Sequence, residues 1–405
     1  MSPATVDSPQ SWMRLAVAVA ISTIGGVGMW SVVVVLPAVQ SEFGVARAAA
    51  SLPYTLTMLG FGAAGIVLGR WSDRFGIMRP VIAASAALGA GYLLSGYATT
   101  LTQFALAQGL LIGAGSSVTF GPLLAHVSMW FARRRGIAVA VVASGNYFAG
   151  AVWPPIVQHF TEVAGWRSAY AGIGVFVLAA MLPLALLLRR PPPAHHATAA
   201  GARTRTSGTP GSLGLSPGAL QSLLVVAGFA CCVAMAMPQV HIVAMCADLG
   251  YGPARGAQML SVMLACGIVS RITFGHISDR VGGLRTLLLA SGLQGVALVL
   301  FLPFDGLVSL FLISALFGLF QGGIVPSYAI IVREYFPPSE AGGRIGLVIM
   351  ATLVGMASGG WASGAIFDVT GSYQAAFVHG IGWNLVNFSI AWWLLARARS
   401  RPALA

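Results

Sequence analysis

The stretch from Gly69 to Arg79, GRWSDRFGIMR, returns 206 positions later as GHISDRVGGLR, from Gly275 to Arg285. Both copies stand where a long apolar run ends and charged residues begin, which is typical of a short polar turn between two membrane helices. The identical positions are Gly69, Ser72, Asp73, Arg74, Gly76 and Arg79 in the first copy and Gly275, Ser278, Asp279, Arg280, Gly282 and Arg285 in the second. A chain of 405 residues that repeats itself near half its length consists of two copies of one unit.

The composition is that of a membrane protein. Hydrophobic residues make up 57% of the chain and charged residues 8%, whereas charged residues are about 25% of soluble proteins. The first apolar run, from Leu15 to Val39, is longer than the core of a signal peptide, so we expect it to be retained as the first membrane helix. The four cysteines fall in apolar segments, which indicates buried thiols and no disulfide or metal site.

Twelve apolar runs of about 20 residues are long enough to cross a bilayer as helices. They predict spans at 15–39, 50–69, 80–99, 103–130, 136–160, 168–188, 219–246, 255–277, 286–303, 307–333, 343–368 and 374–396. The runs and the duplication together predict an all-α membrane protein of twelve transmembrane helices in two pseudo-symmetric six-helix halves, residues 1–188 and 218–405. Residues 189–217 contain three consecutive prolines and many Gly, Ser and Thr, which is typical of a linker.

The pattern Gly-x-x-x-Asp-Arg-x-Gly-x-x-Arg after the second helix, with its weaker echo after the eighth, resembles the signature of the major facilitator superfamily. The resemblance implies the major facilitator fold. It also implies secondary transport by alternating access between the two halves.

The distribution of basic residues predicts the orientation in the membrane. All 22 are arginines, because the chain contains no lysine, and all but four lie on the termini or the even-numbered connections. The positive-inside rule makes that face, with both termini and the linker, cytoplasmic. We expect a multi-pass plasma-membrane protein, in the inner membrane if the source is prokaryotic. The net charge of +12 follows from this topology, and no soluble basic domain remains to bind nucleic acid.

Arg47, Arg167 and Arg255 belong to the opposite face, and Arg271 lies inside the eighth helix, where its counterpart in the first half is Gly65. An arginine in hydrocarbon costs at least about 2.5 kcal/mol to insert and usually faces a cavity or a partner. A guanidinium offers a planar fork that matches a carboxylate, so Arg271 predicts a site for an anionic substrate. The alternative is snorkelling to the lipid headgroups.

The ten acidic residues all fall at helix ends or in loops. None of them is expected in mid-membrane, so the sequence offers no carboxylate there to carry a proton. Drug antiporters of the superfamily usually also carry an arginine early in the fourth helix, where this chain has Gln108. Because the mid-membrane carboxylate and this arginine are both missing from the sequence, drug/proton antiport is a weaker prediction than anion transport.

Further stretches resemble the monocarboxylate porter and oxalate/formate antiporter branch of the superfamily. They are Phe43–Arg47 followed by Ser51-Leu52, Trp130-Phe131 before Arg134–Ala138, His241–Val243 before Asp248–Gly250, and Ser270–Ile272 with Gly275 and Asp279. The resemblance implies that Arg271 binds the substrate carboxylate. The chain departs from animal members at Gly267, where they have an aspartate, and near Trp30, where they have a lysine. It also lacks the helix-eleven lysine of oxalate exchangers, and one cavity cation instead of two favours a monoanion.

Other polar residues within the apolar runs are candidates for the lining of the substrate cavity. The predicted substrate-binding residues, beside Arg271, are Ser117, Asn146, Tyr147, His241, Gln321, Tyr328 and Asn384. Their counterparts in the other half are mostly apolar or glycine, which indicates specialised positions. Each is also open to a structural role as a hydrogen-bonding contact between helices.

Charged residues of the repeated stretches and of the loop after the fourth helix are candidates for gating. They are Asp73, Arg74, Arg134, Arg135, Asp279 and Arg280. We expect the two aspartates to act as latches that stabilise one state of the transporter. A role in setting membrane topology is the alternative.

These features predict a transporter of a small organic monocarboxylate, coupled to a proton, with no cofactor, metal or enzymatic chemistry. His241 is the expected proton carrier, because imidazole titrates in the physiological range. Anion exchange of the oxalate/formate type and drug/proton antiport are the alternatives, and short termini and loops argue against a non-transporting receptor. The expected partners are the substrate anion, the proton and the bilayer, and we expect a monomer.

Overall fold

The computed structural model describes residues 6–190 and 213–400, and within these ranges the chain is helical, with no β-strand. The helices group into twelve segments. The first six are α1 (Pro9–Gly25 and Val27–Phe43), α2 (Arg47–Phe75), α3 (Met78–Gly96), α4 (Leu101–Ser128), and α5 and α6 (Arg135–Ala143 followed by Gly145–Leu187, divided at Gly165). The last six are α7 (Pro217–Asp248), α8 (Pro253–Val281), α9 (Gly283–Leu300), α10 (Leu307–Gln321 and Ile324–Tyr335), α11 (Pro338–Thr370) and α12 (Tyr373–Ser400).

The twelve segments correspond one to one to the twelve predicted spans, although several helices extend beyond the predicted bounds. Nine apolar stretches among the described residues are long enough to cross a membrane, and α5 and α6 form one of them because the helix runs on across Gly165. The helices α3 and α12 are outside these nine. The predicted linker, 189–217, lies mostly outside the described residues.

Most of the repeated stretch is helical, which differs from the short polar turn that the sequence predicts. The helix α2 continues to Phe75 and α8 continues to Val281. Arg74 and Arg280 stand in the last turn of these helices, where a positive charge interacts favourably with the helix dipole. The charged residues therefore extend the helices instead of ending them.

A glycine ends each of these two helices in the same way. The φ angle is +78° at Gly76 and +81° at Gly282, and each N–H donates to the carbonyl four residues earlier, Ser72 or Ser278, at 2.9 Å. A side chain would be strained at such a φ angle, so glycine is needed at both positions.

Contacts divide the chain into two units. Unit 1 contains the chain up to Phe43 and from Leu56 through α6, and unit 2 contains Gly44–Thr55 together with α7–α12. The start of α2 thus belongs by its contacts to unit 2, although it lies in the first half of the sequence.

Glycines allow helices to pack closely within both units. In unit 1, a Cβ on Gly113 of α4 would clash with the carbonyl oxygen of Thr57 in α2. In unit 2, a Cβ on Gly318 of α10 would clash with the carbonyl oxygen of Met263 in α8. Thr57 and Met263 are counterparts in the repeat, so the same close approach of the second and fourth helices recurs in both units.

Candidate substrate-binding site

The imidazole of His241 is buried in unit 2 and bound to the backbone of α11. His241 lies three residues after Pro238 in α7 and is 1% exposed, and its Nε2 is 2.8 Å from the carbonyl oxygen of Gly360. A carbonyl oxygen can only accept, so Nε2 carries the hydrogen and donates it. The Nδ1 atom is buried and has no hydrogen-bond partner among the described residues.

Arg271 lies in α8 beside the break between the two segments of α10. The backbone N–H of Gly322 donates to Oγ of Ser270 at 3.0 Å, and a Cβ on Gly322 would lie 2.9 Å from the backbone nitrogen of Arg271. The next residue, Gly323, packs against the ring of Phe274. The two glycines therefore bring the break in α10 directly onto the turn of α8 that carries Arg271, whose side chain is partly exposed.

Two glutamines meet between α7 and α10. The Nε2 atom of Gln239 donates to Oε1 of Gln321 at 2.5 Å, and both side chains are buried. Gln321 is a predicted site residue, whereas Gln239 was not recognised in the sequence. Its counterpart in the first half is Val33, and this asymmetry is the signal that could have identified it.

Tyr328 and Asn384, two further predicted site residues, bind neighbouring helices of unit 2. The hydroxyl of Tyr328 donates to Oδ1 of Asn387 at 2.8 Å, and Nδ2 of Asn387 donates to Oγ of Ser291 at 3.0 Å. Nδ2 of Asn384 donates to the carbonyl oxygen of Ser291 at 3.1 Å. These bonds tie α10 and α12 to α9, and they engage the hydroxyl of Tyr328 and the amide nitrogen of Asn384.

The predicted residues of unit 1 lie in α4 and α5. The Nδ2 atom of Asn146 is 3.2 Å from Sδ of Met29, and the carbonyl oxygen of Asn146 accepts from Nε1 of Trp30 at 3.1 Å. Oδ1 of Asn146 is buried without a hydrogen-bond partner in the described part of the chain, and the neighbouring Tyr147 is partly exposed. Ser117 is buried, and its hydroxyl donates to the carbonyl oxygen of Ala114 at 2.7 Å.

Gly65, the counterpart of Arg271, leaves open space in unit 1. A Cβ built at this position meets only Cβ of Ser117, at 3.8 Å. The position that carries the guanidinium in unit 2 is therefore unfilled in unit 1.

The predicted gating residues are exposed at the ends of helices. This holds for Asp73, Arg74, Arg134, Asp279 and Arg280, while the side chain of Arg135 lies outside the described part of the structure. The guanidinium of Arg74 lies over the ring of Phe75, with 5.1 Å to its centroid, and that of Arg134 lies 5.8 Å from the Trp12 ring.

Asp7 holds the loop that carries three consecutive arginines. Its Oδ2 accepts from the backbone N–H groups of Ala132 at 3.2 Å and Arg133 at 3.0 Å. The hydrogen bond from the backbone of Arg133 lowers the pKa of the Asp7 carboxyl below its usual value, because it stabilises the ionised form.

A buried charged group at the start of α2 was not recognised as a site in the sequence. We define the Arg47 cluster as Arg47, Asp248, Asp368 and Tyr373, all within unit 2. Arg47 is 5% exposed, and its Nη2 pairs with Oδ2 of Asp248 at 2.9 Å while Nη1 donates to the hydroxyl of Tyr373. The carboxylate of Asp368 accepts the backbone N–H groups of Arg47 and Ala48, both at 2.7 Å. Asp368 thus caps the N-terminus of α2 from α11.

Among the residues that the structure describes, no group of three His, Cys, Asp or Glu side chains is placed to hold a metal ion. The predicted substrate-binding residues offer hydrogen-bond donors, the imidazole of His241 and the guanidinium of Arg271. Their chemistry suits the recognition of an anion.

Comparison with known proteins decides the family. The sequence profile of the Major Facilitator Superfamily matches residues 18–312 and 223–404, which together cover most of the chain. The chain belongs to the major facilitator superfamily. The predicted resemblance and the predicted all-α fold are thereby confirmed, and the chain is a multi-pass integral membrane protein.

The relatives of this superfamily member include monocarboxylate transporters. Monocarboxylate transporter 13 of Rattus norvegicus is 32% identical over 315 residues, which cover 74% of this chain and 69% of the relative. Monocarboxylate transporter 12 of Homo sapiens is 25% identical over 356 residues, or 80% of this chain and 67% of the relative. These names indicate a membrane transporter that resembles the monocarboxylate branch, and not an enzyme.

Solved structures share the fold of this superfamily member. A bacterial homologue of the human lysosomal transporter Spinster, in an inward-facing and occupied conformation, has a TM-score of 0.73 at 14% identity, covering 98% of this chain and 100% of the other. A mutant nucleoside transporter has a TM-score of 0.73 at 15% identity, with 95% and 99% covered.

Proposed function

We propose that this protein transports a small organic monocarboxylate, and that Arg271 binds the carboxylate. One observation carries the proposal: α8 has an arginine at the position where the other half of the repeat has Gly65. A planar guanidinium binds a carboxylate through two parallel hydrogen bonds. The names of the monocarboxylate transporters at 32% identity support the same class of substrate.

We further propose substrate contacts by His241 and Gln321 in unit 2, and we keep Ser117, Asn146 and Tyr147 as proposed substrate-binding residues of unit 1. His241, Gln321, Asn146 and Asn384 each have a buried polar atom with no hydrogen-bond partner among the described residues, which supports a ligand contact because such atoms are rare unless a ligand or water completes them. Asn384 also binds the carbonyl oxygen of Ser291 through Nδ2. Tyr328 was predicted with them, and its bond to Asn387 of α12 favours a supporting role.

A proton is the proposed coupled ion, and His241 is its proposed carrier. Since Nε2 of the neutral ring donates to the carbonyl of Gly360, the lone pair on Nδ1 remains to accept a proton. Symport of one proton with one monoanion is electroneutral. Uptake is therefore expected to follow the pH gradient and to be indifferent to the membrane potential.

The exposed charges of the repeated stretches, including Asp73 and Asp279, keep their proposed role in switching between transport states. On this proposal, Asp73→Asn changes the balance of states and leaves the affinity of each state for substrate nearly unchanged. Labelling of single cysteines with and without substrate measures that balance.

Uptake of labelled carboxylic acids into proteoliposomes tests the proposed function. We expect uptake of at least one monocarboxylate, stimulated by an inward proton gradient in vesicles with no internal substrate. A strict requirement for an internal anion would instead establish exchange. His241→Gln is expected to remove the stimulation by the proton gradient, and stimulation that survives unchanged would exclude His241 as the carrier.

A further inference from the structure

We propose that Gln321, oriented by Gln239, is a second substrate contact that selects among monocarboxylates. This inference rests on the proposed function, because it assumes that Arg271 holds the carboxylate. Gln321 binds an oxygen acceptor elsewhere on the same substrate, and Gln239 is a positioning residue.

The hydrogen bond between the two amides fixes the direction of Gln321. Nε2 of Gln239 donates to Oε1 of Gln321 at 2.5 Å, so the Gln321 oxygen is engaged and its Nε2 points away from Gln239. Gln321 is 1% exposed, and its Nε2 is buried with no hydrogen-bond partner in the described part of the chain. Native structures pair nearly all buried polar groups, so this amide N–H is a donor that a bound acceptor would satisfy.

The backbone of α10 brings this donor to the turn that carries Arg271. Gly322, the residue after Gln321, donates its N–H to Oγ of Ser270 at 3.0 Å. A Cβ on Gly322 would lie 2.9 Å from the backbone nitrogen of Arg271. Gln321 and Arg271 thus extend from backbone segments in contact, and one small molecule is able to bind both.

The amide pair is specific to unit 2, and the duplicated scaffold forms without it. The counterparts of Gln239 and Gln321 are Val33 in α1 and Gly115 in α4. Gln294 in α9 is another buried glutamine of unit 2: its Nε2 donates to the carbonyl oxygen of Cys231 at 3.3 Å, and its Oε1 has no hydrogen-bond partner among the described residues. Gln294 is therefore a matched control for the loss of a buried glutamine.

The chemistry of the two donors defines the substrate class. A guanidinium takes the carboxylate, and a neutral amide N–H takes an uncharged oxygen, such as a hydroxyl or keto group close to the carboxylate. A site built to hydrogen-bond such an oxygen rejects the analogue that lacks it, because the amide is then left buried and unpaired.

The test compares matched acids in proteoliposomes. One set is propionate, lactate and pyruvate, and the other is phenylacetate and mandelate, so that each set differs only in the oxygen next to the carboxylate. For the wild type, Gln321→Met, Gln239→Met and Gln294→Met, the measured quantity is the ratio of kcat/KM for the oxygen-bearing acid to that for its plain analogue.

We expect the wild type to favour the oxygen-bearing acid, and Gln321→Met to lower this ratio about tenfold, as expected for one lost hydrogen bond. The expected fall comes from kcat/KM for the oxygen-bearing acid, and kcat/KM of the same variant for the plain acid is its reference. Gln239→Met lowers the ratio less, because the donor is present but no longer oriented, and Gln294→Met leaves it unchanged. If Gln321→Met does not fold, Gln321→Asn is measured instead. Its side chain keeps the amide but is one methylene shorter, so the amide no longer reaches the substrate oxygen and the same fall in the ratio is expected.

An unchanged ratio in Gln321→Met or Gln321→Asn, or an equal fall in Gln294→Met, would overturn the inference. A wild type that carries plain and oxygen-bearing acids equally would do the same. A wild type that carries no carboxylate would contradict the proposed function itself, and that outcome is separate because it is seen without any variant.

Discussion

The helix α2 and its counterpart in the repeat, α8, have the same length and differ in chemistry. Each is 29 residues long and ends at a glycine with positive φ, Gly76 or Gly282. At the same internal position, however, α2 has Gly65 and α8 has Arg271. The duplication therefore preserved the backbone geometry, while the arginine occurs in one copy only.

The same contrast extends to the neighbouring helices. In unit 2, Gln239, His241 and Gln321 are buried polar residues, and their counterparts in unit 1 are Val33, Val35 and Gly115. Variants that alter shared geometry should therefore affect both units alike. Variants that alter chemistry should affect only one.

The close packing of the second and fourth helices is the shared feature whose disruption should cost the most stability. Gly113→Ala and Gly318→Ala each force a methyl group against a backbone carbonyl, of Thr57 or Met263, which cannot move as a side chain does. We expect each to destabilise the protein by about 3 kcal/mol or more, measured by thermal unfolding in detergent. Gly172→Ala and Gly382→Ala, which meet nothing within 4 Å, are the controls. A loss of stability in only one of Gly113→Ala and Gly318→Ala would contradict the inference that both units share this close packing.

The two helices also differ at their starts, because the buried Arg47 of α2 has no equivalent in α8. Its position in the repeat is occupied by Pro253, which opens α8. Arg47→Met removes the ion pair with Asp248 and the bond to Tyr373 but keeps the aliphatic stem. Asp248 is 40% exposed, so solvent screening limits the expected loss to about 2 kcal/mol.

The control for Arg47→Met is Arg255→Met, since Arg255 is an exposed arginine near the start of α8. A change within about 0.5 kcal/mol is expected there. Equal stabilities of the two variants in the same unfolding assay would mean that the Arg47 cluster adds nothing.

The glycines that end α2 and α8 give a smaller effect. Gly76→Ala and Gly282→Ala place a side chain at a φ angle near +80°, which costs about 1 kcal/mol at each site. Their closely matched φ angles predict closely matched losses in unfolding temperature. Gly69→Ala and Gly275→Ala, in the helical part of the same stretches, should lose nothing, since a Cβ there has open space.

The sequence was sufficient to predict the twelve helices, because long apolar runs and a repeat constrain a membrane chain strongly. It also singled out Arg271, since a charge within an apolar run has few explanations. The helix that runs into Gly69–Arg79 was predicted to end too early. The charged residues there indicated a helix end, whereas the conformation of Gly76 sets the end.

Contacts between distant residues could not be predicted. Gln239 stands in an unremarkable apolar run, and its role depends on Gln321, which is 82 positions away. The Arg47 cluster joins residues from four separate helix ends, and each of its three charged residues would by itself be interpreted as a solvated charge. Likewise, nothing in the local sequence indicates that Tyr328 finds Asn387 in another helix.

Uptake by Arg271 variants tests whether this guanidinium binds the substrate carboxylate. Purified Arg271→Ala and Arg271→Lys are reconstituted beside the wild type and Arg255→Ala, an exposed arginine of the same helix, and uptake of the monocarboxylate that the wild type carries best is measured at equal protein density. We predict no uptake above protein-free vesicles for Arg271→Ala, partial uptake for Arg271→Lys because a point charge replaces a planar fork, and normal uptake for Arg255→Ala. Wild-type uptake by folded Arg271→Ala would contradict the claim that this guanidinium binds the substrate carboxylate.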